Sequence, residues 1–312
     1  AAPPLRSMPA RRSYSSGDGP FLKPSTLRLV EEALAIEAEE AKEAGTLGFM
    51  ARMLVQATMP HRDPGQVAAW GRRNGAFSLV IQPGVTIDAR THLPLSIGLP
   101  YGSLPRLLLA WISTEAVRTR EPLVLLGDTL SSFMRQLDMM PTGGRWGSIT
   151  RLRMQMKRLF SASISCTYEG EDHWANAGFR IADETHLWWD PKNPDQADLW
   201  QSTVTLGHKF FQELVEHPVP VDMRALKALR RSPLALDLYC WLTYRMSYLR
   251  KDTVIPWYSL QAQFGADYSR ERDFKSKFNE SLKRVLTVYP AAKASPAANG
   301  LFIQPSKTHV KP

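Results

Sequence analysis

A stretch rich in arginine and lysine, from about Gly147 to Ser161, has the spacing of an amphipathic helix. One face of its helical wheel holds the apolar residues Ile149, Leu152, Met156, Leu159 and Phe160. The opposite face holds Gly147, Arg151, Met154 and Arg158, flanked by Ser148 and Gln155 on one side and by Lys157 on the other. No acidic residue occurs from Trp146 up to Glu169, whereas a merely solvated helix normally mixes charges of both signs. We therefore predict DNA contacts by Arg145, Ser148, Arg151, Gln155, Lys157 and Arg158.

A second candidate DNA-binding helix runs from Tyr268 to Val288. Its apolar stripe consists of Phe274, Phe278, Leu282 and Val285. The outer stripe, which we predict to contact DNA, consists of Ser269, Arg272, Ser276, Asn279 and Lys283, with Lys275 beside it. Arg and Lys bind guanine and phosphate, and Asn binds adenine. The acids Glu271, Asp273 and Glu280 leave a second interpretation open, a solvated helix held by salt bridges.

Residues for catalysis or metal binding do not form a recognisable site. The seven histidines are scattered, and no HxH, HExxH or CxxC motif occurs, so we expect no metal-dependent nicking site and no structural zinc. The segment from Gly143 to Ser148 superficially resembles a phosphate-binding loop, but it lacks the Gly-Lys-Ser/Thr order, and an interhelical turn explains it better. The sequence therefore predicts a protein that is not an enzyme and needs no cofactor.

The positive charge of the chain is concentrated near its end. The 312 residues include 39 Lys and Arg against 30 Asp and Glu, a net charge of +9. From Val221 to Pro312 there are 16 basic and 7 acidic residues, which accounts for the whole excess. A basic region of this kind favours a polyanionic partner such as nucleic acid.

The elements that position the first basic helix have the order of a winged helix. We predict a helix from Ser103 to about Thr119, a strand over 123–126, a short helix over 130–137, the basic helix, and hairpin strands at 163–168 and 178–189. The same order returns with a helix from Ser232 to Leu249, a strand over 253–255, a helix over 257–264, the second basic helix and a wing strand over 301–303. Trp111 and Trp241 correspond in the two first helices, which supports a duplication.

The fold class that follows is α+β, with two tandem winged-helix domains behind an N-terminal arm and an acidic helix. The predicted divisions are residues 1–45 for the arm and acidic helix, 46–219 for the first domain and 220–312 for the second. Residues 1–24 have the composition of a flexible arm, and residues 25–44 that of a helix with a narrow apolar stripe of Leu27, Val30, Leu34 and Ala38. We do not expect this acidic helix to contact DNA. A strand is predicted over 76–82.

The cellular location follows from what the sequence lacks. Cys166 and Cys240 lie far apart in apolar stretches, which favours a reducing compartment. No signal-peptide core follows Ala1, and no apolar run is long enough to span a membrane. We expect a cytoplasmic protein associated with DNA and not with membrane.

Several runs of residues resemble a known family. They are Gly48-Phe49-Met50-Ala51-Arg52, Gln56-Ala57-Thr58-Met59-Pro60-His61, Leu99-Pro100-Tyr101-Gly102, Pro105-Arg106-Leu107-Leu108-Leu109-Ala110-Trp111, Thr114-Glu115-Ala116-Val117-Arg118-Thr119 and Gly143-Gly144-Arg145-Trp146-Gly147. These runs resemble the plasmid-encoded RepA replication initiators and cover about Thr46 to Tyr168. Beyond them the likeness is one of architecture, to initiators with two tandem winged helices.

The resemblance implies a plasmid replication initiator that binds double-stranded DNA at repeated origin sites, the iterons, and recruits host DnaA and the replicative helicase. It further implies homodimers in equilibrium with monomers that repress their own promoter and thereby control plasmid copy number. The acidic helix and the first domain would then form the dimer surface, which sedimentation of a chain lacking residues 1–44 would test. Two other classes remain open: a winged-helix transcriptional repressor without a replication role, and, less favoured by the missing ligands, a nicking or priming enzyme.

Overall fold

A computed structural model describes residues 23–190, 192–196, 202–265 and 268–311. The predicted flexible arm, except its last two residues, lies outside the described residues. The first elements are helix α1 (Pro24–Ala38), strand β1 (Leu47–Ala51), helix α2 (Arg52–Gln56) and strands β2 (Trp70–Asn74), β3 (Phe77–Gln82), β4 (Val85–Ile87) and β5 (Pro94–Ser96). Strand β3 confirms the strand predicted over 76–82.

The central part of the chain contains what we call the first unit, together with an additional hairpin. Its elements are α3 (Ser103–Thr119), β6 (Leu123–Leu125), α4 (Leu130–Gln136), α5 (Ser148–Ser161), β7 (Ser163–Glu169), β8 (Trp174–Arg180), β9 (Ala182–His186) and β10 (Thr203–Leu206). The first unit consists of α3 to α5 with the antiparallel sheet β6-β10-β9. Helices α3 and α5 confirm the two longer helices predicted here.

A second unit with the same element order completes the chain. It follows α6 (His208–Glu216), β11 (Pro218–Asp222) and α7 (Met223–Leu229), and consists of α8 (Pro233–Tyr248), β12 (Thr253–Pro256), α9 (Trp257–Phe264), α10 (Glu271–Val288), β13 (Ala294–Ala297) and β14 (Gly300–Ile303). Its sheet has the order β12-β14-β13. In both units, therefore, the last strand lies between the first and the second.

An aromatic contact repeats between the units. The ring of Trp111 in α3 packs at an angle of 77° to Phe133 of α4, with centroids 5.0 Å apart. Trp241 in α8 packs on Phe264 of α9 at the same angle, with centroids 5.4 Å apart. Because both contacts join the first and second helices of their unit, they support the predicted duplication.

The prediction that strands 163–168 and 178–189 form the hairpin of the first winged helix was wrong. Strands β7 and β8 pair with each other, but they extend the sheet β2-β3-β7-β8, outside the sheet of the first unit. The predicted second strand, 178–189, is divided between β8 and β9, and β9 pairs with β10, which the sequence analysis did not predict. Alternating polarity shows that a segment is extended and which face is buried, but not which strand it pairs with.

A strand pair joins the segments that precede the two units, and a buried ion pair joins the units themselves. Strand β1 pairs antiparallel with β11, from Leu47 opposite Asp222 to Ala51 opposite Pro218, so the predicted boundary at residues 219/220 lies inside β11. Arg106 of α3 and Asp237 of α8 form an ion pair in the core, with Nε 2.6 Å from Oδ1. The Nε2 atom of His61 lies 2.8 Å from Oδ2 of the same carboxylate.

The acidic helix α1 packs on the second unit with a different face from the one predicted. Its buried residues are Leu29, Ala33 and Ile36, which face α7 and α10. The predicted stripe of Leu27, Val30, Leu34 and Ala38 is exposed. Arg224 of α7 fixes this orientation, because its guanidinium donates to the carbonyl of Glu39 at 2.7 Å and to that of Ala35 at 3.4 Å, at the end of α1.

Candidate nucleic-acid interface

The turn before α5 determines where this basic helix begins. Gly144 has a φ of +87°, and a Cβ added to Gly147 would lie 2.2 Å from the carbonyl oxygen of Thr142. The Ser148 N–H donates to Thr142 Oγ1 at 2.9 Å, and Ser148 Oγ donates to the carbonyl of Met140 at 2.6 Å. The segment from Gly143 to Ser148 is therefore the predicted interhelical turn, and it requires glycine where the backbone approaches itself.

The exposed face of α5 is entirely basic or neutral. Arg151, Arg153 and Lys157 are exposed along the helix, and Thr150 lies among them. Before the helix, Trp146 is 81% exposed, and the guanidinium of Arg145 lies 5.1 Å from the centroid of its ring. This surface offers cations and a planar side chain to a polyanion.

Three residues predicted to contact DNA from α5 do not lie on this face. Ser148 and Gln155 are only 5% and 4% exposed, and the Gln155 carbonyl oxygen accepts the backbone N–H of Tyr101 at 3.1 Å. Arg158 points inward, where its Nη1 donates to Asp63 at 3.1 Å and to the carbonyl of Leu99 at 3.2 Å. The wheel prediction is thus corrected for these three, because backbone groups of neighbouring segments draw their polar ends inward.

Trp146, Thr150 and Arg153 lie on the exposed surface although the sequence analysis did not select them. The absence of acids around Arg153 was visible in the sequence and could have indicated it. A wheel drawn from the apolar residues alone could not place Trp146, because it precedes the helix and its exposure depends on the turn.

Helix α10 is held by an aromatic cluster that leaves its opposite side free. Phe274 and Phe278 are fully buried, and the Phe278 centroid lies 5.5 Å from that of Trp257 and 6.1 Å from that of Phe264. This packing follows the stripe predicted from the sequence. The predicted outer residues Ser269, Arg272, Ser276 and Lys283 are exposed, while Asn279 and Lys275 are half-buried.

Acids on α10 pair with several of its cations. Lys275 lies 2.5 Å from Glu271, Lys277 lies 2.6 Å from Glu280, and Arg272 lies 3.7 Å from Asp273. Exposed pairs of this kind contribute little stability and exchange readily for other anions. Lys283 has no ion pair within 4.0 Å among the described residues. The salt-bridged interpretation thus describes the first half of the helix better than the second.

The described part of the chain contains no cluster of metal-binding side chains and no activated thiol. Within it, no three His, Cys, Asp or Glu side chains lie close enough together to hold a metal ion. Burial, with Glu213 nearby, raises the pKa of Cys166 to about 12. Burial also raises the pKa of Cys240. Neither thiol is therefore activated as a nucleophile.

Across the residues described, none of the helices is both long and apolar enough to cross a bilayer.

The architecture resembles that of known proteins. A crystal structure of domains 2 and 3 of RctB, as selenomethionine derivatives, matches with a TM-score of 0.50 and 12% identity, over 81% of this chain and 95% of that chain. A crystal structure of RctB residues 155–483 gives a TM-score of 0.48 at 12% identity, over 81% and 96%. At such low identity the first match shows the fold alone. No curated protein matches the chain.

The fold thus defines a mixed α/β protein whose architecture is similar to that of RctB domains 2 and 3. The profile of the family described as plasmid-encoded RepA protein matches residues 99–258, which is half of the chain. The chain belongs to this family of plasmid replication proteins. Membership indicates a plasmid replication initiator. The matched region includes the loop Leu99–Gly102, which receives the inward side chains of Gln155 and Arg158.

Proposed function

We propose that this protein initiates plasmid replication by binding repeated origin sequences through two winged helices. The observation that carries the proposal is the repetition of one unit, each copy with the same strand order and each presenting a basic third helix to solvent. A winged helix places its recognition helix in the major groove of DNA. Two such helices on one chain suit an asymmetric site of about two helical turns, roughly 20 base pairs.

The residues proposed to contact DNA are exposed or half-buried side chains of the two basic helices and of the segments just before them. In the first unit they are Arg145, Trp146, Thr150, Arg151, Arg153 and Lys157, and in the second Ser269, Arg272, Lys275, Ser276, Asn279 and Lys283. Ser148, Gln155 and Arg158, which the sequence analysis had predicted as contacts, instead position α5. The Oδ1 atom of Asn279 is buried and has no hydrogen-bond partner among the described residues, so only the exposed part of this side chain is available to DNA.

Each domain in this proposal contains one of the two repeated units. Residues 46–219 contain the first winged helix and residues 220–312 the second, while β11 continues across this boundary to pair with β1. The buried pair Arg106–Asp237 then keeps the two recognition helices in a constant relation.

Dimerisation is proposed through α1. Leu27 and Leu34 are 47% and 62% exposed, and Val30 between them is 36% exposed, so one apolar stripe of the helix has no partner among the residues that the structure describes. A Leu27→Glu/Leu34→Glu variant should sediment as a monomer at concentrations where the wild type is a dimer. Glu37→Ala, on the same helix, serves as the control. A dimeric double variant would move the proposed interface away from α1.

The proposed partners are double-stranded origin DNA, host DnaA and the replicative helicase, and the protein would repress its own promoter. Catalysis is not part of the proposal, and the protein would work without a cofactor. Incubation with supercoiled origin DNA and Mg²⁺ tests this, since a nicking enzyme would leave relaxed product.

Footprinting tests the two-helix arrangement. Arg151→Ala/Lys157→Ala should abolish protection over one half of the repeat and Arg272→Ala/Lys283→Ala over the other, with about 1–3 kcal/mol lost for each base contact. Lys42→Ala with Arg90→Ala removes the same charge from exposed sites outside both helices and should leave the footprint whole.

Loss of the same half in both double variants contradicts the arrangement. A footprint confined to a single palindrome would instead favour a transcriptional repressor without a replication role.

A further inference from the structure

An open cleft with basic walls lies beside α10, between the first turns of α1 and the end of α7. The cations that line it are Lys23, Arg28, Arg230, Arg231, Lys283 and Arg284. The acids that line it are Glu32 and Glu280. This surface is distinct from the predicted contact stripe of α10, with which it shares only Lys283.

The acids of the cleft are already paired. Arg28 lies 2.9 Å from Glu32, and Lys277, outside the cleft, lies 2.6 Å from Glu280. Arg230 is paired with Asp138 at 2.7 Å. The remaining four cations, Lys23, Arg231, Lys283 and Arg284, have no ion pair within 4.0 Å among the residues that the structure describes.

The position of Arg284 in this cleft disfavours the charged form of its guanidinium. It is half-buried, and its burial lowers its pKa, an effect that Glu280 opposes and Arg231 increases. A guanidinium that is partly desolvated beside another cation destabilises the protein unless an anion neutralises it. The arrangement of Arg231 and Arg284 therefore favours an anionic ligand.

The position of the cleft indicates which anion it meets. Lys283 belongs both to the exposed stripe of α10 and to the cleft wall. If the stripe enters a major groove, the cleft lies beside it, where the groove is bordered by backbone phosphates. The hydroxyls of Ser25 and Thr26 line the same cleft, so donors as well as charges are present. The glutamates Glu37, Glu39 and Glu43 lie further along the chain, outside this cleft.

We propose that this cleft binds a phosphate of the DNA backbone at the edge of the groove entered by α10. The acidic helix α1, which we did not expect to contact DNA, would thereby form part of the DNA-binding surface through its basic first turns. This inference rests on the proposed function, in which α10 is a recognition helix.

Salt dependence of DNA binding tests the cleft in the full chain. Arg231→Gln and Arg284→Gln should each weaken binding to origin and random DNA about equally, and each should make the slope of log K against log salt shallower by about 0.9. Lys42→Gln, an exposed change beyond the other end of α1, should keep the wild-type slope. In the absence of DNA, Arg284→Gln should unfold at no lower urea concentration than the wild type, because it removes a partly buried cation that Arg231 repels and Glu280 offsets only in part.

A phosphate-specific probe locates the contact. Origin duplexes with a single methylphosphonate, moved along the backbone, should weaken wild-type binding at one position beside the α10 footprint. At that position the methylphosphonate should cause no further loss in Arg284→Gln.

The outcomes separate this proposal from the proposed function. Wild-type origin binding with unchanged slopes and unchanged methylphosphonate sensitivity in both variants overturns the cleft proposal and leaves the proposed function standing. Absence of origin binding by the wild type overturns both. Calorimetric binding of ATP without DNA, lost in Arg284→Gln, would assign the cleft to a soluble nucleotide and overturn its assignment to DNA.

Discussion

Replacing Arg106 by methionine should destabilise the junction between the two units more than any exposed charge change. The guanidinium is 4% exposed and directs all of its N–H groups to oxygen acceptors. Nε and Nη2 donate to the two carboxylate oxygens of Asp237 at 2.6 Å and 2.7 Å. The other donors reach the carbonyls of Pro60, Gly102 and Met59 at 3.2 Å, 2.7 Å and 2.7 Å.

The magnitude follows from what the substitution leaves behind. Burial by itself would raise the pKa of Asp237, but Arg106 and His61 outweigh it, so that the pKa lies below its ordinary value and the carboxylate is ionised at neutral pH. Removing one partner of a buried ion pair costs about 3–5 kcal/mol, because the other charge is left without compensation. Arg106→Met/Asp237→Leu removes both charges, so it should cost less than Arg106→Met alone.

Urea unfolding followed by tryptophan fluorescence at neutral pH measures these free energies. Arg118→Met is the matched control on the same helix, since Arg118 is 66% exposed and paired with Glu115 at the surface. Its cost should be about 0–1 kcal/mol. A loss in Arg106→Met no larger than in Arg118→Met would refute the reasoning, and so would a double variant less stable than Arg106→Met.

Three further predictions concern pH and the support of α5. Burial lowers the pKa of His61 and of His309 below 6.5. The stability that comes from keeping these two imidazoles neutral is therefore complete above pH 6.5 and is lost as the pH falls through their lowered pKa values. The free energy of unfolding should fall from about pH 7 to about pH 5.5, and it should fall less steeply in His61→Gln/His309→Gln. Gly147→Ala should cost about 1–3 kcal/mol in urea unfolding because its Cβ meets backbone, whereas Gly143→Ala, with open space around its Cβ, should change stability by under about 0.5 kcal/mol. Gln155→Ala should cost about 1–3 kcal/mol of stability and leave the salt slope of DNA binding unchanged, and a shallower slope at wild-type stability would make it a DNA contact after all.

Local sequence patterns were sufficient to predict the repeated helices and the apolar faces of α5 and α10. Helices α5 and α10 have long apolar periodicities, and each buries the apolar face that its periodicity indicated. Helix α3 lies at the predicted position but is buried on all sides from Pro105 to Ser113. Strands β3, β12 and β14 were predicted because they are short β-prone runs bounded by turn residues. Such features depend on residues within a few positions of each other, so a single sequence contains them.

Only the tertiary structure decided which side chains of a helix contact residues that are distant in sequence. Gln155 and Arg158 have the residue types of a DNA-binding face, but they turn inward because the loop at Leu99–Tyr101 presents backbone groups to them. The apolar stripe of α1 stays exposed because Leu29, Ala33 and Ile36 fit α7 and α10 instead. These outcomes depend on residues distant in sequence, whose approach no local periodicity encodes.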